Sequence, residues 1–254
     1  MTGSVASVSA KDIQDIPVAN TTTLLQGRLP GLVLTQNGAQ AGNDNPEIRI
    51  RGIGTFGNNN PMVLIDGVEG SISQIAEIPS ADIESISVLK DAASAAIYGV
   101  RAANGVIIIT TKKGEEGAVR VNVSSKYTYS WANKLPEVQK LYGRGEYNTS
   151  GAFIDKTMDS WGDRIDGMAY DNIDDFFQGS SVWDNSVSVS GGSKNGSFYL
   201  SGSNYHQSGI IPTTGYDKTT FRFNGEQKYG ILTVGANVSY SQASTDKTLT
   251  SAGL

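Results

Sequence analysis

From Val119 onward the chain alternates. Val119, Val121, Val123, Tyr127, Tyr129 and Trp131 hold odd positions, and Arg120, Asn122, Ser124, Lys126, Thr128 and Ser130 lie between them. Successive side chains of a β-strand point to opposite faces, so this is a strand with one apolar and one polar face. Phe221 and Phe223 alternate with Arg222, Asn224, Glu226 and Lys228. Leu232, Val234, Ala236, Val238 and Tyr240 alternate with Thr233, Asn237, Ser239 and Ser241. Trp183–Ser190 and Ser197–Tyr205 keep the pattern less strictly, and the Gly-rich stretch Gly191–Gly196 predicts a turn between them. Gly209–Tyr216 reads as a longer loop and 133–181 as an irregular segment that holds short helices or an insertion. Alternation with terminal aromatics fits a transmembrane barrel, and it fits one sheet of a soluble β-sandwich equally well. About five such strands do not close a membrane barrel, because an open edge in lipid leaves backbone groups unpaired.

Before Gly114-Glu115-Glu116-Gly117 the texture differs. Apolar residues come in compact runs, Leu32–Leu34, Met62–Ile65 and Val106–Ile109, with helix signals between. Thr21-Thr22-Thr23 before Leu24-Leu25 suggests a cap and a first turn. Asp91 can cap a helix over Ala92–Tyr98 that Gly99 ends. Ile107–Ile109 lacks polar alternation and predicts a strand buried on both faces. The first half therefore predicts a small α+β domain ordered helix, strand, hairpin, strand, helix, strand.

Composition narrows the function classes. Glycines number 30 of the 254 and Ser, Thr and Asn are abundant, which favours short strands and turns over long helices; charged residues are only 18% and the formal net charge is -5. The absence of a Lys/Arg cluster argues against nucleic acid as a partner. With no cysteine, disulfide frameworks, thiolate zinc sites and thiol catalysis are excluded. The opening residues show no basic stretch followed by an apolar one, so no signal peptide is expected there, and no stretch approaches a membrane helix.

Several motifs lose to plainer readings. Gly52-Ile53-Gly54-Thr55-Phe56-Gly57 matches a dinucleotide fingerprint, but Asn58-Asn59-Asn60-Pro61 and another strand follow where a helix should open, so a hairpin loop is expected. His206 is the only histidine and no nucleophile elbow accompanies it, so no catalytic residues are assigned and the protein is not read as an enzyme. Asp166, Asp171, Asp174 and Asp175 lack calcium-loop spacing and read as solvated loop acids; no metal and no cofactor is expected. Arg49 and Arg51 share a strand face, Asp66 ends Met62–Ile65 at the turn Asp66-Gly67, and Glu84 and Lys90 sit on the next strand. Charges so close to apolar runs must reach solvent or pair, and the pairing partners can come from another wall of the protein.

One combination of motifs is more specific. Leu24-Leu25-Gln26-Gly27-Arg28-Leu29-Pro30-Gly31 is followed by Ile48-Arg49-Ile50-Arg51-Gly52 and Pro61-Met62-Val63-Leu64-Ile65-Asp66-Gly67. Asp82-Ile83-Glu84-Ser85-Ile86, Val88-Leu89-Lys90-Asp91-Ala92, Ala96-Ile97-Tyr98-Gly99 and Ala103–Lys112 complete the series. In order and spacing these resemble the plug domain of SusC/RagA-type TonB-dependent outer-membrane transporters. Ser188–Ser193 and Phe198–Gly202 resemble that family's early barrel hairpin. Members close about 22 strands around the plug, which explains the small strand number.

The resemblance implies an α+β plug domain followed by antiparallel β-strands of an incomplete transmembrane β-barrel. It implies a lead-in segment at 1–19, a plug at 20–115 and the N-terminal part of the barrel at 116–254. It implies import of a nutrient, an oligosaccharide or a peptide, across the bacterial outer membrane. TonB with ExbB and ExbD would act through an upstream segment, and a SusD-like surface lipoprotein would act as lid. Apical plug loops Gln36–Asn45, Thr55–Asn60 and Val68–Gln74 would meet ligand, through Asn43, Asn45, Phe56, Asn58, Asn59 and Asn60. Arg49, Arg51, Asp66, Glu84 and Lys90 would couple plug to barrel, with Arg51 and Lys90 as the latch. The competing expectation is a soluble β-rich carbohydrate-binding module.

Overall fold

A computed structural model describes residues 5–13, 16–36, 41–42, 46–90, 96–165 and 171–248. The first half builds a five-stranded sheet ordered β1-β6-β7-β4-β5. Its strands are β1 (Val5–Ser9), β4 (Met62–Ile65), β5 (Val68–Gly70), β6 (Ile83–Leu89) and β7 (Val106–Thr111). β7 lies at the centre, antiparallel to β6 and parallel to β4. Val106, Ile107 and Ile109 are fully buried, as an apolar run without alternation requires. β1, from the segment read only as a lead-in, pairs with β6 from Val5↔Leu89 to Ser9↔Ser85.

One face of this sheet carries the larger core. Ile83, Ile86, Val88, Ile107 and Ile109 pack with Ile13 of the short helix α1 (Ala10–Ile13), with Leu24 and Leu25, and with Ile75 of α2 (Ile72–Glu77). The other face holds a smaller cluster around Leu64, Ala102 and Val106. Thr21–Leu25 is a 3-10 turn, and its cap is Asn20 rather than the threonines: Asn20 Oδ1 accepts from Thr22 N at 2.9 Å. α2 starts on a reciprocal capping box between Ser71 and Gln74, so the segment read as an apical loop at 68–74 is instead β5 and the opening of this helix. The Asp91-capped helix falls largely outside the described residues; what is described of it is a 3-10 turn at Ala96–Tyr98. A separate hairpin pairs β2 (Leu32–Thr35) with β3 (Glu47–Ile50).

The second half is a five-stranded antiparallel sheet ordered β14-β13-β12-β11-β8. Its strands are β8 (Gly117–Ser130), β11 (Ser180–Ser193), β12 (Gly196–Ser208), β13 (Gly215–Tyr229) and β14 (Leu232–Asp246). They match the five predicted alternating segments but run longer. The expected turn at 191–196 shrinks to Lys194-Asn195, because Gly191–Ser193 stay in β11 beyond a register shift at Ser190. The turn Gly230-Ile231 joins β13 to β14, and Gly230 at φ 61° supplies the left-handed backbone it needs. The irregular segment at 131–179 holds a small hairpin of β9 (Glu146–Tyr147) and β10 (Phe153–Ile154) and the short helix α3 (Asn172–Phe176).

The polarity of this sheet is inverted relative to a soluble protein. Its apolar side is bare: Val123 is 76% exposed and Phe221 58%, with Val119, Val121, Val234, Val238 and Tyr240 beside them. Cross-strand neighbours Val187↔Val123, Leu200↔Phe223, Phe223↔Val238 and Phe221↔Tyr240 make the surface continuous. Tyr127, Tyr129, Trp131 and Trp183 gather at the end where the long segment 131–179 departs. The polar side is the covered one: Tyr199 is 4% exposed and Arg222 7%, packed on the α+β unit. In water burial favours apolar surface by about 25 cal/mol per Å², so this arrangement suits lipid outside and a polar lumen within.

The central strand predicts a measurable effect. Ile107→Ala removes a fully buried side chain and should cost about 2–5 kcal/mol. Amide hydrogen exchange in β4, β6 and β7 of the detergent-solubilised protein should lose protection by that amount, while β13 and β14 keep theirs.

Candidate functional site

The chemistry of the fold concentrates where the α+β unit meets β12 and β13. Asp66 occupies the first position of the β4–β5 turn at φ 51°, followed by Gly67 at φ 88°. Two successive left-handed residues form the tight hairpin turn that matches strand twist, and Asp-Gly suits it. The turn throws the Asp66 carboxylate sideways, toward the end of β7. There it accepts from Thr111 N at 2.8 Å and Thr111 Oγ1 at 2.6 Å. Arg222 of β13 donates to Asp66 Oδ2 at 2.9 Å and to Thr111 Oγ1 at 3.0 Å. The side chains of Arg222 and Asp66 are only 8% and 5% exposed, so this ion pair is buried and fully enclosed. Asn224, two residues on along β13, donates to Lys112 O at 2.7 Å and to Thr111 Oγ1 at 3.2 Å.

Two further wall residues reach the same unit. Tyr199 of β12 donates its hydroxyl to Asp82 Oδ1 at 2.9 Å. Burial pushes the Asp82 carboxyl above its ordinary range, opposed by the hydroxyls of Ser201 and Tyr199 and by the charges of Arg222 and Lys112. Ser201 Oγ faces this carboxylate yet falls short of hydrogen-bond geometry. Lys218 of β13 is buried and donates to two backbone carbonyls, Ala19 O at 2.9 Å and Ala76 O at 3.0 Å. Those carbonyls belong to the lead-in of the 3-10 turn and to α2, so one ammonium ties two distant segments to the wall. Lys112, on the linker to β8, is shifted down by burial, against the pull of Asp82 and Glu84. The linker runs tight against the wall at Gly114: a Cβ there would collide with the backbone of Phe198.

The residues singled out in the sequence are distributed as follows. Asp66 lies in the buried seam. Arg49 pairs with Glu47 in its own strand at 2.5 Å. Arg51 does not share a strand face with Arg49: it stands just past β3 at φ 61°, where its N–H donates to Gly31 O. Glu84 is the exposed extra residue of a bulge in β6, and Lys90 follows the end of that strand, with its stem beside Gly31. Asn43 and Asn45 lie outside the described residues. The Gly52–Asn60 loop is closed by Asn59, whose Oδ1 accepts from Gly54 N and Thr55 N and whose Nδ2 donates to Thr55 O and Gly57 O. Asn58 Oδ1 accepts from Asn60 N, and Asn104 braces the loop through Asn58 O. Phe56 projects from it fully exposed. A strand, β4, follows this loop, which leaves no helix N-terminus for a pyrophosphate. The loop sits at the start of β4, the opposite end of the parallel β4–β7 pair from Asp66 and Thr111.

His206 pairs with Asp217 across β12 and β13 at 2.6 Å, both half exposed. Among the described residues no cluster of three acids or histidines could hold a metal; Asp166 lies outside them, and Asp171 pairs with Lys140. Sequence reasoning missed Tyr199, Lys218, Arg222 and Asn224. Their signal was present as the polar half of the alternation, in bulky hydrogen-bonding residues, but that half was read as a face rather than as a set of contacts.

A compact α+β unit hydrogen-bonded to the polar face of an outward-apolar sheet is the arrangement of a plug held inside a barrel wall. The TonB-dependent Receptor Plug Domain family matches residues 1–106. TonB-dependent receptor P26 of Formosa agariphila is 37% identical over 95% of this chain and 25% of its own length. TonB-dependent receptor SusC of Bacteroides thetaiotaomicron is 32% identical over 88% of this chain and 23% of its own. The RagAB peptide importer in its closed-closed state superposes with a TM-score of 0.80 at 26% identity, over 95% of this chain and 30% of that one. The chain belongs to the TonB-dependent receptors, and within them to the SusC/RagA type. It spans about a quarter of the length of these curated relatives.

The seam generates two expectations. Arg222→Met leaves the Asp66 carboxylate buried without its counter-charge and should weaken docking by about 3–5 kcal/mol; urea titration of the solubilised protein should release the α+β unit at lower concentration. Because the Asp82 pKa is raised in the folded state, its contribution is full below the ordinary value of 3.8 and is lost as pH rises through the shifted value. Docking should therefore tighten as pH falls through that window, and Asp82→Asn should flatten this part of the pH dependence while keeping an acceptor for Tyr199.

Proposed function

We propose that the protein acts in TonB-dependent import of a nutrient across the bacterial outer membrane. Residues 20–115 form the plug in the barrel lumen, the lead-in at 1–19 adds β1 and α1 to its sheet and core, and 116–254 form the N-terminal part of the wall. The observation that carries this reading is the inverted sheet: an apolar surface faces outward while Tyr199, Lys218, Arg222 and Asn224 are buried against the plug. A soluble carbohydrate-binding module would need that surface covered, since a continuous bare apolar face of this extent promotes association in water. The short turns Lys194-Asn195 and Gly230-Ile231 at one end, and the long segment 131–179 at the other, fit the periplasmic and extracellular sides of such a wall.

The cargo in this reading is an oligosaccharide, with a peptide as the second choice; the structural relative RagAB is described as a peptide importer. Phe56 offers a flat apolar face, and Asn43, Asn45, Asn58, Asn59 and Asn60 offer amides for hydroxyl-rich ligands. Asn59, with its amide engaged inside the loop, would shape the site, and Phe56 would make the main contact. Arg49, Arg51, Asp66, Glu84 and Lys90 would transmit plug movement to the wall. TonB, energised with ExbB and ExbD, would act through a segment ahead of the plug, and a SusD-like lipoprotein would cover the outer mouth. The reading assigns no catalytic role.

The test is uptake by intact cells of radiolabelled malto-, xylo- and fructo-oligosaccharides, with a short-peptide mixture in parallel. Uptake that requires both this protein and TonB, with the protein recovered from outer membranes, is the expected result. Recovery in the soluble fraction, or uptake indifferent to TonB, overturns it. Phe56→Ala should weaken binding of the transported probe by roughly tenfold, aromatic contacts of this size being worth on the order of 1 kcal/mol.

A further inference from the structure

The plug touches its wall unevenly. On β12 and β13 four inward residues are bulky, buried and bonded to the plug: Tyr199 to Asp82, Lys218 to Ala19 and Ala76, Arg222 to Asp66, Asn224 to Lys112. Between them on the same face, Ser203 and Thr220 bond to each other within the wall. Along the middle of β8 and β11 the inward residues are Asn122, Ser124, Lys126, Ser186 and Ser188, exposed or half-buried, while Val182 and Ser180 at the far end of the same face of β11 are buried. Among the described residues none of Asn122, Ser124, Ser186 and Ser188 hydrogen-bonds to the plug. Between them and the plug lies a cavity of about 270 Å³, closed on the plug side by Ala81 and Lys112. Lys112, Asn122 and Ser188 also line a second cavity, of about 630 Å³, that reaches Glu116, Gly117 and the start of β8. The two spaces thus adjoin and run down the wall toward the short-turn end.

We infer that this gap between the plug and the β8–β11 wall is the passage for a polar, hydroxyl-rich solute, with the β12–β13 seam serving as the fixed side about which the plug moves. The inference rests on the import reading above and adds the route. The chemistry of the lining supports it. Hydroxyls and an amide can exchange hydrogen bonds with a moving solute and with water, and a water needs two to four such partners. Lys126 is balanced by Asp184 at 4.0 Å, so its charge does not make the wall a trap for anions. Small side chains leave width, where Tyr199 and Arg222 on the neighbouring strands fill it. Opening this side breaks no hydrogen bond from those four small residues to the plug, whereas opening the other side must separate the buried Asp66–Arg222 pair.

None of the 254 residues is a cysteine, and any cysteine elsewhere in the full-length protein is first replaced by serine. Ser186→Cys, Ser188→Cys, Val187→Cys and Thr220→Cys are placed singly in the full-length protein. Val187 lies between the first two and faces outward, and Thr220 is buried on the inward face of β13 between Lys218 and Arg222. In isolated outer membranes a charged, water-borne thiosulfonate should modify Ser186→Cys and Ser188→Cys rapidly and Val187→Cys hardly at all. No reaction at the first two overturns the inference, whether or not import is ever observed. In cells, the same modification should abolish uptake of the oligosaccharide or peptide probe through Ser186→Cys and Ser188→Cys and leave the Val187→Cys and Thr220→Cys proteins transporting. Uptake that persists after full modification of Ser186→Cys and Ser188→Cys, or that is lost equally at Thr220→Cys, places the route elsewhere. Failure of the unmodified protein to take up either probe would instead count against the import reading.

Discussion

Asp66 is a carboxylate with almost no access to solvent, and its burial depends on Arg222 arriving from another part of the chain. An isolated charge in such a place costs several kcal/mol, and an opposite charge with good hydrogen bonds offsets that cost. Here the pair is completed by Thr111, which presents both its N–H and its hydroxyl to the same carboxylate. The rest follows from this constraint. β13 must turn its polar residues toward the plug, so by strand alternation Phe221 and Phe223 must point away. Once β13 is oriented, pairing with β12 and β14 fixes every neighbouring face, since a slip of one residue would reverse them all.

The same interface holds its charged groups in different ways. Asp66 has a cation; Asp82 has hydroxyls and only more distant charge, and burial dominates its ionisation. Among the described residues Lys218 meets no carboxylate in hydrogen-bond contact and instead donates to two backbone carbonyls, one just ahead of the 3-10 turn and one in α2. The seam is therefore a mixture of one strong charge pair and several directional bonds to neutral groups. Such bonds need close placement, which suits a surface that must dock in one orientation.

Much of this was legible in the sequence, for identifiable reasons. The run Val106–Ile109 announced a central strand because no polar residue interrupts it. The alternations after Val119 announced five strands, and the motifs from Leu24 to Lys112 announced the plug. What stayed hidden had weaker local signals. β1 is five residues whose pairing with β6 is long-range. The cap of the Thr21 turn is the preceding Asn20, which competes with three threonines that look equally suitable. Asp66 could be placed in its turn from Asp-Gly alone, but its partner lies 156 residues away and periodicity does not reveal partners. Arg51 seemed to share a face with Arg49 because strand spacing was assumed to continue, and a left-handed residue ends it. For the loop around Phe56, sequence supplied the right residue types and structure separated the braced Asn59 from the projecting ring.

The two ends of the wall differ in a way that bears on how such a protein can change over generations. At one end β11–β12 and β13–β14 are joined by two-residue turns that lock register, so an insertion there would shift whole strands. At the other end the chain departs into 131–179, whose hairpin and short helix contribute nothing to strand pairing in the wall. Material can be added, lost or exchanged on that rim while the wall and its plug stay as they are. Novelty is thus confined to one side of the molecule by the length of its turns.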